Sequence, residues 1–144
     1  MSRVSLEETV DDLIVAEGAE LIENAPRSCA LMIGPDRVVC ISGGLSEDVR
    51  TVAKAHELGH LTTGSLYSCG ENDSRVIGKC EETAFRFSAA LLLPHPKLCA
   101  AIKKVRTFDP CVLADDLSLP AEFIARCEVL WFGLKNMEVP ALEN

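Results

Sequence analysis

Two histidines four residues apart, with a glutamate after the first, are the residues of this 144-residue chain best suited to chemistry. They form the segment His56-Glu57-Leu58-Gly59-His60, an HExxH pattern, and the chain has only three histidines. On a helix, residues at i and i+4 share one face, so both imidazoles can bind one ion, typically zinc. Glu57 then projects beside the metal, where it can accept a proton from an attacking water. The pattern predicts a catalytic zinc site of a hydrolase.

A catalytic zinc site also needs a third protein ligand and an open position for water. A strongly helical apolar segment begins near Cys80 and carries two carboxylates at its start, Glu81 and Glu82. Glu81 falls on the more apolar stripe of that helix, whereas Glu82 falls with Arg86 on a partly polar side. The pattern therefore favours Glu81 as the third ligand. The other downstream candidates are Cys69, Glu71, Asp73, Cys80 and His95.

A closed structural zinc site made of His56, His60, Cys69 and Cys80 is an alternative interpretation. Two imidazoles and two thiolates are a common tetrahedral ligand set for structural zinc. The spacing of these cysteines is unusual for such a site, and Glu57 would have no task in it. The catalytic interpretation accounts for all the residues of the pattern.

Two further residues, Tyr67 and His95, lie near these candidates in the sequence. Tyr67, the one tyrosine of the chain, lies seven residues after His60 and could donate a hydrogen bond to a tetrahedral oxyanion. A packing role for Tyr67 is the alternative. His95 lies between Pro94 and Pro96, so we expect an exposed turn residue there and not a ligand.

The N-terminal third of the chain is predicted to form a helix and a β-hairpin. Apolar residues recur at helical spacing over 5–23, which predicts an amphipathic helix. Short apolar runs at 28–33 and 38–42 are joined by Gly34-Pro35-Asp36-Arg37, and glycine and proline there indicate a tight turn. These two runs are predicted to be antiparallel strands.

The HExxH segment is predicted to lie on a helix that begins near Ser46 and continues through Leu61. The polar segment from Thr62 to Gly78 is predicted to be a long loop, and loops of that length are often functional. We predict an α+β fold, mostly helical, with the small antiparallel hairpin packed on the HExxH helix. A single domain is expected over 1–144, with the metal-site core at 45–95 and C-terminal helices at 96–135. The remaining helices are predicted at 80–93, 96–104, 110–117 and 120–132.

Composition and charge exclude several classes of function. Hydrophobic residues make up 48% of the chain and charged residues 25%, as in ordinary globular domains. The net charge of −8 argues against direct binding to nucleic acid or to an anionic membrane. No apolar run approaches the length of a membrane span, and the acidic N-terminus is unlike a signal peptide, so a cytoplasmic protein is expected. The seven irregularly spaced cysteines are predicted to be reduced core thiols.

The last two predicted helices are joined by a short turn, as in a helix-turn-helix. The second of them carries Arg126 as its one basic residue, beside Glu122 and Glu128, which is poor equipment for contacts with phosphate. We expect this helix to pack on the core, or to present Trp131 and Phe132 to a partner chain, which makes a homodimer possible. The residues expected to pack are Phe123, Ile124, Leu130 and Trp131.

The segments AHELGHLTTGSLY and EETAFRFSAALLLP together resemble the ImmA/IrrE family of metallopeptidases. In that family, HELGH is followed by a variable loop and by E-x-x-A-N-x-F-A, with a proline closing the helix. The resemblance implies a zincin-like domain with Zn²⁺ on His56, His60 and Glu81, and with Glu57 as general base. Phe85 replaces the usual Asn of the family, and Ser88 replaces its following small residue.

The resemblance also implies a class of substrate. Members of the family cleave or regulate helix-turn-helix repressors, which are often encoded beside them in mobile elements or in toxin–antitoxin and stress operons. The expected function is therefore that of a zinc metalloendopeptidase acting on a specific intracellular protein, such as a repressor or antitoxin. A catalytically silent, zinc-binding regulator of the same fold is the alternative.

Overall fold

The computed structural model describes residues 4–68 and 70–133. Within those ranges the chain forms six helices and three strands, which confirms the predicted α+β class. The chain divides into two compact units, one up to Ser88 and one from Ala89 on. The single domain stays a prediction, and residues 134 and 135 of its predicted C-terminal part lie outside the described residues. The elements are α1 (Leu6–Ala16), β1 (Ala19–Ala25), β2 (Cys29–Ile33), β3 (Asp36–Ser42), α2 (Glu47–Thr63), α3 (Ser74–Leu92), α4 (His95–Val105), α5 (Pro110–Leu117) and α6 (Ala121–Phe132).

The first helix is shorter than predicted. α1 ends at Ala16, and Gly18 takes a φ of 77°, a left-handed conformation that glycine adopts without steric cost and that stops a helix. A turn at residues 17 and 18 leads into β1, so the prediction of a helix through residue 23 is wrong from residue 17 on. The apolar residues of this segment happen to fit a helical pattern. β1 was not predicted because its parallel partner, β3, lies farther along the chain and leaves no local signal.

The predicted hairpin is present, but its turn is tighter. β2 pairs antiparallel with β3, and Gly34 and Pro35 alone connect them. Gly34 has a φ of 59°, as required at the first central position of a type II′ turn. β1 adds a parallel strand on the other side of β3, so the strand order is β1-β3-β2 and β2 lies at an edge.

The two helices with the chemical candidates begin where acidic or hydroxyl side chains favour a start. Ser46 is the N-cap of α2, as predicted. α3 begins at Ser74, six residues earlier than predicted, where the Asp73 carboxylate accepts a hydrogen bond from the Arg75 amide. The predicted loop from Thr62 to Gly78 is therefore shorter, and Gly78 lies inside α3.

The core of the first unit forms where α2 packs against α1, β2 and β3. This confirms the predicted packing of the hairpin on the HExxH helix. Arg37, at the start of β3, fixes the end of α2: its guanidinium donates to the Leu61 carbonyl at 2.8 Å. The same guanidinium bonds the Glu17 carboxylate at 2.9 Å, which connects the ends of two helices. The buried apolar side chains here include Val10, Ile14, Val39, Ile41, Leu58 and Leu61.

A buried lysine joins α1, β1 and α2. Lys54 of α2 is 1% exposed, and its ammonium lies 2.8 Å from carboxylate oxygens of Glu7 and Asp11 and 3.1 Å from Glu23. Arg50, one turn earlier, donates two further hydrogen bonds to Glu7. A buried charge is tolerated only when opposite charges and hydrogen bonds compensate for its lost hydration. This Lys54 cluster therefore fixes the position of α2.

The second unit packs α4 against α5 and α5 against α6. Phe123 and Ile124 are buried, as predicted for the last helix, and the Trp131 indole donates to the Leu93 carbonyl at 2.8 Å. Glu128 is fully buried, and neither of its carboxylate oxygens has a hydrogen-bond partner among the described residues. Burial raises the pKa of Glu128 to about 7.

The prediction of core thiols is wrong for most of the cysteines that the structure describes. Cys127 is buried, Cys111 is exposed, and Cys29, Cys40, Cys80 and Cys99 are partly exposed. All six are free thiols, and Cys69 lies outside the described residues. No helix in the described ranges combines the length and apolar character that a membrane crossing requires.

Removing the Glu7 charge is expected to destabilise the protein at neutral pH but not in strong acid. Hydrogen bonds from Arg50, and secondarily from Lys54, lower the pKa of Glu7 from 4.5 to about 2. A lowered carboxyl pKa stabilises the folded state above the unfolded value, and this contribution is lost as pH falls through the folded value. We expect Glu7→Gln to cost about 2 kcal/mol at pH 7. Urea denaturation between pH 2 and pH 7 measures the difference.

Glu8→Gln is the matched control, because it removes the same charge from the same turn of α1 at an exposed position. We expect it to change the free energy of unfolding by less than about 0.5 kcal/mol. Equal effects of the two substitutions at pH 7 would contradict a stabilising role of the Lys54 cluster.

Candidate metal centre

The two histidines of α2 face the same side of the helix. Their ring centroids are 4.9 Å apart, as the i, i+4 spacing predicts. Nδ1 of His60 lies 2.7 Å from the Ser65 carbonyl oxygen, which can only accept a hydrogen bond. His60 therefore carries its proton on Nδ1, and its Nε2 atom is left to act as a ligand. The chain turns back to place Ser65 there because Gly64, with a φ of 70°, ends α2.

α3 brings Glu81 to both histidines. One carboxylate oxygen of Glu81 lies 3.0 Å from Nε2 of His56, and the other lies 2.8 Å from Nε2 of His60. Ligand atoms of the three residues all lie within 4.8 Å of one another. Ligands of one tetrahedral zinc ion are separated by about 3.3 Å, given metal–ligand bonds of about 2 Å. Two imidazoles and a carboxylate at this spacing fit a catalytic zinc ion.

The other predicted candidates lie elsewhere. Glu82 is half exposed and forms an ion pair with Arg86 at 3.0 Å, as its polar helix face predicts. Cys80 directs its sulfur to the Leu66 carbonyl oxygen at 3.9 Å and does not belong to the ligand group. Cys69, the other thiol of the alternative structural site, lies outside the described residues.

The remaining candidates have roles of their own. Glu71 accepts a hydrogen bond from the amide of Asp73, and Asp73 caps α3. His95 is exposed, as predicted, although it is the first residue of α4 and not part of a turn. Its ring packs edge-on against Trp131 and Phe132.

Glu57 lies beside the ligand group without belonging to it. Its side chain is 8% exposed and lines a cleft of about 120 Å³ together with His60 and Glu81. Burial, and secondarily the charge of Glu81, raise the pKa of Glu57 to about 7, against an opposing effect of Arg27. A carboxylate with this proton affinity, in a cleft next to a metal site, is suited to accept a proton and to return it.

Tyr67 reaches the site from the loop after α2. Its hydroxyl donates to Glu81 at 3.3 Å, and its ring centroid lies 6.3 Å from that of His60. Burial and the Glu81 carboxylate raise the pKa of Tyr67, so the hydroxyl remains a proton donor at neutral pH. The structure thus brings Tyr67 to the ligands, while its role towards an oxyanion stays a prediction.

One wall of the cleft comes from a part of the chain that sequence reasoning did not assign to the site. Arg27, Ser28 and the first half of β2 line the cleft opposite the loop that carries Leu66 and Tyr67. The hairpin was predicted, and so was its packing on the HExxH helix. The sequence did not predict which residues of the hairpin face the cleft, because the periodicity of a strand or of a helix does not determine how the two are aligned.

α2 and α3 approach closely at Gly59. A Cβ atom added there would lie 3.0 Å from the Ala84 carbonyl oxygen and 3.1 Å from the Phe87 side chain. Such distances are shorter than ordinary van der Waals contacts, and a main-chain oxygen cannot easily move. Phe85 of α3, which stands where the ImmA/IrrE pattern has Asn, is buried, with 4% of its surface exposed. The close approach at Gly59 brings Glu81 within reach of the histidines.

Comparison with known families adds an independent finding. Residues 22–127 match the model of a peptidase family described as the IrrE N-terminal-like domain. The match covers well over half of the chain and contains all the site residues described above. A comparison with curated proteins finds no match.

A side chain at position 59 is expected to disturb both packing and metal binding. Gly59→Ala forces α2 and α3 apart, so it should cost about 1–3 kcal/mol of stability and weaken zinc binding. Gly78→Ala is the matched control, because Gly78 lies in α3 with open space around its Cα. There alanine should stabilise the helix by up to about 1 kcal/mol and leave zinc binding unchanged. Thermal unfolding and zinc titration measure both effects, and unchanged zinc affinity in Gly59→Ala would contradict the prediction.

Proposed function

The chain belongs to the ImmA/IrrE family of metallopeptidases, and from this premise we propose that it is a zinc-dependent endopeptidase acting on a specific cytoplasmic protein. One observation carries the proposal. The carboxylate of Glu81 reaches Nε2 of both His56 and His60, while Glu57 lines the adjoining cleft. This arrangement supplies three ligands and a separate base, as peptide hydrolysis with zinc requires.

Each residue of the site has a separate role in the proposed reaction. His56, His60 and Glu81 would hold zinc, which when bound polarises the scissile carbonyl and acidifies water. Glu57 accepts the proton of the attacking water and delivers it to the leaving amine, for which its raised proton affinity is suited. The Tyr67 hydroxyl can donate a hydrogen bond to the developing oxyanion.

The cleft supports an extended peptide as substrate. β2 is an edge strand, and its outer edge has no strand partner among the described residues. Residues 29–31 of β2 line the cleft beside Glu57, so a bound peptide could pair with this edge through main-chain hydrogen bonds. The net charge of −8 favours a basic substrate. A helix-turn-helix repressor or an antitoxin of the cytoplasm fits these requirements.

The choice of Glu81 as ligand is tested by its neighbour. Glu81→Gln should lower zinc affinity by at least about 100-fold, because a metal ligand is lost. Glu82→Gln removes the same charge from the exposed face of α3 and should keep wild-type affinity. Elemental analysis and competition with a chromogenic chelator measure both. Equal zinc affinity in the two variants would show that Glu81 is not a ligand.

The role of Glu57 is tested by separating metal binding from turnover. Glu57→Gln should keep zinc and fold yet lose about 10²- to 10⁴-fold in cleavage rate, because the proton acceptor is gone. The assay offers wild type and variant a helix-turn-helix protein encoded nearby in the source genome, with casein as a non-specific substrate. Rapid casein digestion would refute narrow specificity. If wild type and Glu57→Gln bind the helix-turn-helix protein equally well and neither cleaves it, the alternative of a catalytically silent regulator is favoured.

A further inference from the structure

Two cysteines face each other across the hairpin. In the register of β2 and β3, Cys29 lies directly opposite Cys40. Directly opposed residues of antiparallel strands have Cα atoms about 4.5–5.5 Å apart and side chains on the same face. This separation lies within the range of about 4.4–6.8 Å that a disulfide can span. The register therefore places two thiols where a covalent bond can join them.

The two thiols interact with each other and with the cleft. Burial, the charge and hydrogen bond of Cys29, and the charge of Glu57 all raise the pKa of the Cys40 thiol. Cys29 lines the same cleft as Glu57 and His60, so small solutes can reach it. Cys29 is accordingly the thiol that an oxidant attacks first, and Cys40 is the adjacent thiol that completes the reaction.

We propose that Cys29 and Cys40 form a reversible oxidation site in the wall of the cleft. A peroxide oxidises the Cys29 sulfur to a sulfenic acid and releases one water or alcohol. The Cys40 sulfur then attacks that sulfur, the S–S bond forms, and the hydroxyl group leaves with the Cys40 proton as water. Two thiols and one peroxide thus give one disulfide, and a dithiol or phosphine reductant reverses the change.

The other described cysteines do not offer such a pair. Cys80, Cys99, Cys111 and Cys127 lie on four different helices, α3 to α6, and Cys127 is buried. Cys99 has a histidine, His95, within 3.7 Å, and the structure gives it no neighbouring thiol. Cys29 and Cys40 are the pair that the described residues bring together by strand register.

Oxidation is expected to change the cleft. Opposed Cβ atoms in a sheet are about 4.5–5.5 Å apart, whereas a disulfide requires about 3.8 Å. The bond therefore pulls Cys29 and the edge strand towards β3, and this strand forms the wall against which an extended peptide would lie. A shift of this size at a substrate wall lowers the cleavage rate by about tenfold or more. This effect on turnover rests on the proposed peptidase function.

The oxidation itself is tested by mass spectrometry on the full chain. Reduced protein is treated with hydrogen peroxide, remaining thiols are alkylated, and the digest is searched for linked peptides. We expect a Cys29–Cys40 linked peptide that disappears on reduction with a phosphine. Cys29→Ser should abolish the link, and Cys99→Ser should leave it intact. Stable sulfinic acid at Cys29 without a link, or links among other cysteines only, would overturn the proposal.

The effect on the cleft is tested separately. Peroxide should lower cleavage by wild type about tenfold, with recovery after the phosphine, while the double variant Cys29→Ser/Cys40→Ser should be unaffected. Thermal unfolding establishes that the variant is folded. Full activity of the linked enzyme would overturn the proposed effect on the cleft and leave the oxidation site standing. Absence of cleavage by the reduced enzyme would instead count against the peptidase function, and the linked peptide would still decide the oxidation site.

Discussion

The position of α2 depends on the burial of one ammonium group. Lys54 is almost completely buried, and its charge is tolerated only because carboxylates of α1 and β1 surround it. Burial of this side of α2 therefore requires that α1 and β1 pack against it. On a helix, residues two apart point in nearly opposite directions, so His56 lies on the side of α2 away from Lys54. The helix is therefore fixed by charge on one side and presents its ligands on the other.

The ends of α2 are held by different means from its middle. Ser46 is the N-cap of the helix, and Arg37 of β3 donates a hydrogen bond to the Leu61 carbonyl in its last turn. The turn after Gly64 then lets the main chain orient the His60 ring through Ser65. Sheet, helix and loop each supply one constraint, and the hydrogen bond to Ser65 limits the rotation of the His60 ring. Such support around the ligands usually determines how well a metal site works.

The parts of the fold that follow from local chemistry could be predicted, and those that follow from distant contacts could not. HExxH on a helix and the position of Glu81 on the stripe that faces that helix rest on helical periodicity, which the sequence contains, while the role of Glu81 as a ligand stays a prediction. The first helix was predicted too long for two reasons. Gly18 ends it by taking a left-handed backbone conformation, which the sequence does not specify. β1 forms only by pairing with β3, which is distant in the chain. A four-residue connection was predicted where Gly34 and Pro35 alone make the turn, so the pairing of Cys29 with Cys40 was missed. The burial of Lys54 depends on carboxylates far away in the chain.

The contact at Gly59 has a consequence for the choice of ion. Because the main chain of α3 touches α2 there, the three ligands are already close together in the folded protein, and a binding ion loses less free energy in ordering them. An ion with bonds of about 2.0 Å fits ligands held at this spacing, whereas calcium needs bonds of about 2.3–2.6 Å and more oxygen atoms. The ligand set, two imidazoles and one carboxylate, also lacks the number of oxygen atoms that calcium prefers. The absence of a side chain at Gly59 thus acts indirectly, because it lets the two helices approach and keeps the ligand atoms at the short spacing that a small ion requires.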